Sequence, residues 1–143
     1  MKHPSDATAT KLDRYGRDPL HYAAGDGDVD AVRARLAAGV EVDLRERRGR
    51  FTPLHFAVQE GAVDTAEALL DAGADINAEA DAVASPLHLA VSRWHLSPDG
   101  AVIKLLIQRG ADRTIEDEML GTAAEMAAAQ FEFPPALLEI LNA

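Results

Sequence analysis

The sequence predicts an all-α fold, a solenoid of four stacked helix-turn-helix repeats whose first and last members are degenerate caps. The first observation is a period near 33 residues, because Pro19, Pro53 and Pro86 lie 34 and 33 residues apart. The second is that each unit contains two helices too short to be stable alone in water, so their apolar stripe needs a neighbour. The third is an aromatic content of 5%, which suits thin layers of Ala, Leu, Val and Ile and argues against a β-sandwich. The same spacing recurs in Leu20, Leu54 and Leu87, in His21, His55 and His88, in Ala23, Ala57 and Ala90, and in Gly39 and Gly73.

The central repeat, residues 51–78, indicates how each unit is built. Thr52 is predicted to cap the first helix, since its hydroxyl can accept a hydrogen bond from a free N–H of the first turn. Pro53 follows at the first helical position, where its missing N–H removes no helical hydrogen bond. Gly61 ends this helix because the left-handed conformation there favours glycine. A second helix is predicted from about Val63, with residues three and four apart forming one apolar face. That face consists of Val63, Ala66, Leu69 and Leu70.

Two stretches of the central repeat carry a family resemblance. T-P-L-H-F-A at residues 52–57 and L-L-D-A-G-A-D-I-N at residues 69–77 resemble the ankyrin-repeat family. The resemblance covers about residues 13–142 and implies a right-handed stack that forms one domain, residues 11–143. The implied repeats are about 17–50, 51–83, 84–119 and 120–143. It also implies that the repeated histidine bonds the backbone of the loops between repeats, the fingers, and that fingers and first helices form a concave face for a protein partner.

The N-terminal part is predicted to be a disordered tail, residues 1–10, followed by a first repeat with a polar stripe. Asp18 takes the N-cap position of the first helix, and a second helix is expected at about residues 29–38. Arg35 stands where the central repeat has Leu69. Because a terminal repeat has one face in water, this arginine fits an N-terminal cap.

The third repeat contains an insertion of four residues within residues 94–100. Trp94 replaces the glycine that would end the first helix, and we expect Ser97 and Pro98 to cap the second. Trp94 either fills the enlarged loop against the fourth repeat or contacts a partner, and the sequence favours neither alternative. The apolar stripe of the second helix consists of Ile103, Leu106 and Ile107.

The fourth repeat keeps the frame of the motif but loses its Pro, Leu and His, as expected of a C-terminal cap. Its first helix is expected to begin after Thr122, and Pro134 and Pro135 precede a last helix. The apolar residues of that helix are Leu137, Ile140 and Leu141.

Composition excludes several classes of protein. The chain has no Cys, which excludes disulfides and Cys-ligated metals. The sequence has no apolar run typical of a signal peptide or a transmembrane helix, so we expect a cytoplasmic protein without a membrane partner. A large excess of Arg over Lys and abundant Ala indicate a GC-rich bacterial genome. We expect a monomer.

Candidate metal and catalytic sites are better explained by the repeat. His21, His55 and His88 fall one repeat apart, roughly 10 Å for packed helices, whereas zinc ligands lie within about 2.1 Å of one ion. The acidic run at residues 26–30 resembles the start of a calcium loop but lacks the later Gly and Glu. The sequence contains no catalytic triad pattern, P-loop or dinucleotide motif. We therefore predict no enzyme activity, no cofactor and no metal.

Charge is distributed unevenly in a chain whose formal net charge is −10. Residues 51–92 contain acids and no Lys or Arg, and such a surface repels nucleic acid. The finger before the second repeat has one extra residue and carries arginines at residues 45–50, whereas the last finger carries acids at residues 116–118. The row of fingers thus changes from basic to acidic. This charge is either simply solvated or serves a partner with an acidic patch.

By their position in the repeat unit, the predicted partner-contact residues are Arg14, Tyr15, Arg17, Arg47, Arg48, Arg50, Phe51, Gln59, Glu60, Asp81, Ser92, Arg93 and Trp94.

Two functional classes remain open for an unidentified protein partner. The first is a scaffold or adaptor that tethers the partner. The second is a dedicated inhibitor, for instance an immunity-type protein that blocks the active site of a toxin, possibly a basic nuclease. A gene for a toxin next to the gene for this chain would favour the inhibitor.

Overall fold

A computed structural model describes residues 12–97 and 99–143. Within these residues eight α-helices form four consecutive pairs, as the sequence predicts, and a short 3₁₀ helix lies inside the third pair. The helices are α1 Pro19–Asp26, α2 Val29–Ala37, α3 Pro53–Gln59, α4 Val63–Asp71, α5 Pro86–Ser92, α6 Ala101–Gln108, α7 Ala123–Ala128 and α8 Pro135–Asn142, with the 3₁₀ helix at Trp94–Leu96. The predicted disordered tail, residues 1–10, lies outside the described residues.

The helices form two layers. The first helices of the pairs, α1, α3, α5 and α7, pack side by side in one layer, and the second helices, α2, α4, α6 and α8, pack in the other. One apolar core lies between the layers and continues from pair to pair. Its largest fully buried side chains include Leu20, Val32, Leu54, Leu69, Leu87, Ile103 and Leu106. Each pair therefore buries its apolar stripe against the next pair, which is what makes such short helices stable.

Four fingers precede the pairs and lie next to one another in order. We call residues 13–17 finger 1, residues 40–51 finger 2, residues 74–84 finger 3 and residues 111–121 finger 4. The Asp43 carboxylate in finger 2 accepts the N–H of Asp75 in finger 3 at 3.0 Å. The Asn77 side-chain oxygen in finger 3 accepts the N–H of Asp112 in finger 4 at 2.9 Å. Backbone-to-side-chain bonds of this kind connect neighbouring fingers into a row.

Each first helix begins directly after a capping residue. Asp18, Thr52, Ser85 and Thr122 all have an extended backbone, and the side chain of each accepts an N–H of the first turn. The distances are 2.8 Å for Asp18 to Leu20 N, 3.4 Å for Thr52 to His55 N, 3.2 Å for Ser85 to His88 N and 3.2 Å for Thr122 to Glu125 N. The predicted helix starts after Asp18, Thr52 and Thr122 are confirmed.

The repeated histidines connect each cap to the following finger. The Nε2 atoms contact backbone carbonyls, with distances of 2.8 Å for His21 to Leu44 O, 2.9 Å for His55 to Ala78 O and 2.9 Å for His88 to Gly121 O. Because a carbonyl can only accept, Nε2 must carry the proton. In the first two repeats Nδ1 then accepts the N–H of the cap residue, Asp18 at 3.1 Å and Thr52 at 3.0 Å. The structural interpretation of these histidines is confirmed.

The fourth repeat keeps the cap without the link to a finger. Glu125 occupies the position of the histidine, and its carboxylate accepts the N–H of Thr122 at 3.0 Å. An ionised carboxylate has no proton to donate to a carbonyl. Loss of the histidine therefore preserves the helix start but removes the means of holding a further finger.

Arg35 makes a specific ion pair as well as fitting the terminal repeat. Its guanidinium binds the Asp18 carboxylate, with Nε to Oδ2 at 3.0 Å and Nη2 to Oδ1 at 2.7 Å. Asp18 is only 1% exposed, so its charge needs this partner. The first repeat thus replaces the Thr52 and Leu69 of the second repeat with a coupled Asp and Arg.

The predicted cap of the second helix in the third repeat is wrong. Helix α6 begins at Ala101 after Gly100, which has a left-handed backbone. Asp99, and not Ser97, reaches the helix, because its carboxylate accepts the N–H of Ala101 at 3.3 Å and the Ser97 hydroxyl at 3.1 Å. Pro98 lies outside the described residues. The inserted residues move the loop so that glycine, which tolerates this conformation, occupies the last position before the helix.

Replacement of Gly100 by alanine is expected to destabilise the protein more than the same replacement at Gly110. An added Cβ at Gly100, whose φ is 76°, would lie 2.2 Å from Leu137 Cδ2 in α8. Gly110 has a φ of 89°, but an added Cβ there would meet no atom of residues 12–97 or 99–143 within 4 Å. The left-handed backbone costs about 1–2 kcal/mol in either variant, and overpacking adds about 1–3 kcal/mol in Gly100→Ala alone.

Urea unfolding of the two variants measures this difference. The expected loss of unfolding free energy is about twice as large for Gly100→Ala as for Gly110→Ala. Equal losses would mean that the insertion does not pack against α8 at Gly100.

Candidate protein-binding face

Fingers 1 and 2 join at their tips. The Arg47 backbone N–H donates to the Tyr15 carbonyl at 2.7 Å, and Arg47 Nη2 donates to the Arg14 carbonyl at 3.3 Å. The Arg47 side chain also packs over Gly16, where an added Cβ would lie 3.0 Å from Arg47 Cγ. The two tips therefore form one surface built from residues that are far apart in the sequence.

Arginines surround the half-buried ring of Tyr15. The guanidinium carbons of Arg14, Arg17 and Arg48 lie 5.0, 4.8 and 5.4 Å from the ring centroid, which is the range of cation–π contacts. Arg14, Arg47 and Arg48 are exposed. We call Arg14, Arg47 and Arg48 around Tyr15 the arginine platform. The structure thus brings together four of the predicted contact residues.

Arg17 has internal partners. Its Nε and Nη2 atoms donate to Glu46 Oε1 at 3.1 and 3.0 Å, and Glu46 is only 1% exposed. The other carboxylate oxygen of Glu46 accepts the Phe51 N–H at 3.3 Å. The guanidinium also lies 5.0 Å from the Phe56 ring centroid. Arg17 therefore neutralises a buried carboxylate that holds finger 2 in place.

Sequence reasoning missed two aromatic residues of this face, Tyr22 and Phe56. Tyr22 is 42% exposed, and its ring centroid lies 6.4 Å from that of Phe56. Phe51, which was predicted, lies at the same centroid distance of 6.4 Å from Phe56. Tyr22 and Phe56 both follow the histidine in the repeated motif, and that shared position was the signal that could have identified them.

The tip of finger 2 is wider because of its extra residue. Glu46 N–H donates to the Phe51 carbonyl at 3.0 Å and closes a loop in which Gly49 and Arg50 have positive φ values of 104° and 62°. Arg45 Nη1 donates to the Arg50 carbonyl at 2.9 Å. Arg50 is exposed although a left-handed backbone is unfavourable for arginine.

Arg45 also connects finger 2 to finger 3. Its Nη1 atom donates to the Glu79 carbonyl, and the Asp81 N–H donates to the Gly49 carbonyl at 2.9 Å. An open groove between the two fingers is lined by Arg45, Arg50, Glu79, Ala80 and Asp81. The exposed predicted contact Asp81 therefore lies beside the basic tip.

The remaining predicted contacts on the helices lie at the ends of α3 and α5. Gln59 and Ser92 are half-buried, whereas Glu60 and Arg93 are exposed. Arg93 Nε donates to the Gln59 carbonyl at 3.1 Å, so these two helix ends are connected. The Ser92 hydroxyl donates to the Leu89 carbonyl at 2.8 Å within its own helix.

Trp94 packs against the fourth repeat. Its half-buried ring lies 5.8 Å from the Phe133 ring, centroid to centroid, in an edge-to-face arrangement. The exposed His95 ring stacks on it at 4.4 Å. The indole Nε1 is buried and has no hydrogen-bond partner among the residues that the structure describes. These contacts favour the loop-filling alternative for Trp94, and its contact with a partner stays a prediction.

Comparison with known families identifies the repeat. A family model described as ankyrin repeats (3 copies) matches residues 2–80, and a second model, described as ankyrin repeat, matches residues 84–118. The chain belongs to the ankyrin-repeat family. Ankyrin-repeat proteins are generally protein–protein interaction modules and are typically not enzymes. A search of curated proteins finds no significant match to this ankyrin-repeat protein.

The opposite end of the finger row in this ankyrin-repeat protein is acidic. The exposed acids are Glu79, Asp81, Glu116 and Glu118, and together with their neighbours they line an open groove between fingers 3 and 4. The backbone N–H groups of Met119 and Leu120 donate to the Asp117 carboxylate at 2.9 and 3.0 Å and hold the pKa of Asp117 below its ordinary value. Met119 is 91% exposed at the tip.

The described residues of this ankyrin-repeat protein lack two kinds of feature. Residues 12–97 and 99–143 contain no group of three or more His, Asp or Glu side chains placed to hold a metal ion. In the same part of the chain every helix is too short or too polar to cross a membrane.

Loss of Arg17 should be far more costly to stability than loss of Arg48. Arg17→Ala leaves the buried Glu46 carboxylate without its cation, which costs about 3 kcal/mol or more. Arg48→Ala removes an exposed side chain and should change the unfolding free energy by about 0.5 kcal/mol or less. Urea unfolding curves of both variants measure the two effects. Similar small effects would mean that Arg17 does not stabilise Glu46.

Proposed function

We propose that this ankyrin-repeat protein binds a partner protein through its fingers and first helices and acts as a scaffold or adaptor. The observation that carries the proposal is the arginine platform. In a chain with a net charge of −10, three exposed arginines from two fingers are grouped around one tyrosine, and within the described residues none of the three forms an ion pair. Clustered like charges are unfavourable for folding, and Arg and Tyr are enriched at binding hot spots.

The contacts between fingers support a pre-organised surface. The tips of fingers 1 and 2 bond to each other, and Arg45 and Asp81 connect finger 2 to finger 3. A surface whose backbone is already held in place loses little conformational entropy on association. We place the contact on Arg14, Tyr15, Arg17, Arg47, Arg48, Arg50, Phe51, Gln59, Glu60, Asp81, Ser92, Arg93 and Trp94, with Tyr22 and Phe56 added.

A dedicated inhibitor of a basic target is the second candidate. The acidic end of the finger row favours it, because exposed acids beside the exposed Met119 suit a basic protein surface. An immunity-type protein against a toxin, possibly a basic nuclease, would use this end. A toxin gene adjacent to the gene for this chain would favour the inhibitor over the scaffold.

Other properties predicted from the sequence stay predictions. These are a monomeric state, a cytoplasmic location, a bacterial origin, and the absence of nucleic-acid and membrane partners. The net charge of −10 supports the absence of a nucleic-acid partner, since negatively charged phosphate backbones are attracted to basic surfaces.

Charge reversal on finger 2 should abolish partner capture with little change in stability. Tagged wild-type protein and the double variant Arg47→Glu with Arg48→Glu are incubated with lysate of the native organism, and retained proteins are quantified by mass spectrometry. Both side chains are exposed and Arg47 Nη2 makes one long bond to the Arg14 carbonyl, so the melting curve should change only slightly.

The matched control reverses two exposed cations on the second helices, Arg33→Glu with Lys104→Glu. The proposal predicts a protein that is retained by wild type and by the control and lost from the finger variant. Equal retention by all three proteins would refute binding through the basic fingers.

A further inference from the structure

We propose that the partner presents an extended, carboxylate-rich peptide segment to the arginine platform. This inference rests on the proposed function, because it names the chemistry of the partner that the finger face binds. The segment is short and acidic, and its acidic part ends where finger 3 begins.

The guanidinium groups of the platform have unused hydrogen-bonding capacity. Within residues 12–97 and 99–143 the ion pairs of arginine with carboxylates involve Arg17, Arg35 and Arg109. Arg14 and Arg48 contact the Tyr15 ring by their planar faces or edges, which uses none of their N–H groups. Each guanidinium has five N–H donors in a geometry that matches a carboxylate. Carboxylates from a partner would pair these donors and relieve the repulsion between the arginines.

Tyr15 positions these arginines before a ligand binds. Its carbonyl accepts the Arg47 N–H at 2.7 Å, and its ring is contacted by Arg14 and Arg48 from different fingers. A cation–π contact is favourable and restricts a long flexible side chain. Tyr15 is therefore a positioning residue for the arginines as well as part of the surface.

Four backbone N–H groups at the platform are bonded within the fingers, which leaves fewer of them for a phosphate group. Phosphate sites in proteins are commonly built from several free backbone N–H groups. Here the N–H groups of Tyr15 and Arg17 donate to the Asp13 carboxylate, and that of Gly16 donates to the Asp13 carbonyl. The Arg47 N–H donates to the Tyr15 carbonyl. Recognition at this place depends on arginine side chains from two fingers, which suits several carboxylates along a peptide.

The next finger limits the length of the acidic segment. The Asp81 N–H bonds to the Gly49 carbonyl at 2.9 Å, so the exposed Asp81 side chain lies directly beside the basic tip, with the exposed Glu79 near it. A nucleic acid is negatively charged along its whole length and would meet these acids. A peptide can change from acidic to neutral or basic within one residue, so it is the better fit.

The direct test is fluorescence anisotropy with a labelled glutamate-rich peptide of about eight residues, long enough for an extended chain of about 3.3 Å per residue to cross both fingers. A twin peptide with Gln for every Glu is the control ligand. We expect the Glu peptide to bind the wild-type protein, the Gln peptide not to bind, and the affinity for the Glu peptide to fall about tenfold or more between about 50 and 200 mM salt. The proposal would be overturned if the two peptides bound with equal affinity or if the Glu peptide did not bind.

Variants test which side chains are responsible. Arg14→Gln with Arg48→Gln should weaken binding of the Glu peptide about tenfold or more. The matched control, Arg33→Gln with Lys104→Gln on exposed positions of second helices, should bind as wild type does. Tyr15→Phe should keep the affinity because the ring remains, whereas Tyr15→Leu should lose several-fold. Full affinity in the Arg14 and Arg48 variant, or equal affinity in the two Tyr15 variants, would contradict the assigned roles.

Two further ligands separate the alternatives. A phosphoserine peptide and a single-stranded oligonucleotide, each of the same net charge as the Glu peptide, are titrated under the same conditions. The proposal predicts that neither binds more tightly than the Glu peptide. Tighter binding of the phosphopeptide or of the oligonucleotide than of the Glu peptide would replace the carboxylate-rich segment with that ligand.

Competition in the capture experiment distinguishes failure of this inference from failure of the proposed function. An excess of Glu peptide should release the partner that wild type retains and that the Arg47 and Arg48 variant loses. A partner that depends on the fingers but resists the peptide would overturn the carboxylate-rich segment alone. Absence of any finger-dependent partner would overturn the proposed function instead.

Discussion

The structure depends on one kind of buried hydrogen-bonded link, which runs from a helix cap through a histidine to the backbone of the next finger. His21, His55 and His88 each have a ring nitrogen within 2.9 Å of a finger carbonyl, and all three are at most 4% exposed. Leaving such buried polar groups unpaired would be costly, so the link fixes the helix start and the finger together. The fingers are thereby held by the helical layers and not only by their own turns.

Two sets of arginines have different surroundings once the fingers are fixed. Arg17 and Arg35 neutralise the buried carboxylates of Glu46 and Asp18, and Arg45 bonds two finger carbonyls. The arginine platform, in contrast, is exposed and has no carboxylate partner within the described residues. The same residue type therefore stabilises the fold in one place and leaves binding capacity in another, and only the surroundings distinguish the two uses.

Most of the fold could be predicted because repeated local chemistry specifies it. Helix N-caps, glycines that end helices and apolar stripes are each recognised from residues three or four positions apart. Their repetition along the chain predicts the stacking of the repeats. The roles of Arg17 and Arg35 could not be predicted, because their partners lie in other elements and the sequence does not give the register between them. The cap at Ser97 was predicted wrongly because inserted residues can follow several loop paths to the same helix. Tyr15 was predicted to be on the binding face, but its contact with Arg48 depends on how two fingers meet.

Burial lowers the pKa of His55 to about 4 and also lowers the pKa of His21, so both rings are neutral at pH 7. Between about pH 6.5 and pH 4 the unfolded chain binds more protons at His55 than the folded one, so stability falls as the pH falls through that window. A long-range ¹H–¹⁵N NMR titration of the histidines tests the link most directly. The account predicts the Nε2–H tautomer for His21 and His55 at pH 7, with His55 still neutral at pH 5. A proton on Nδ1, or titration of His55 near its ordinary pKa of about 6.5, would contradict it.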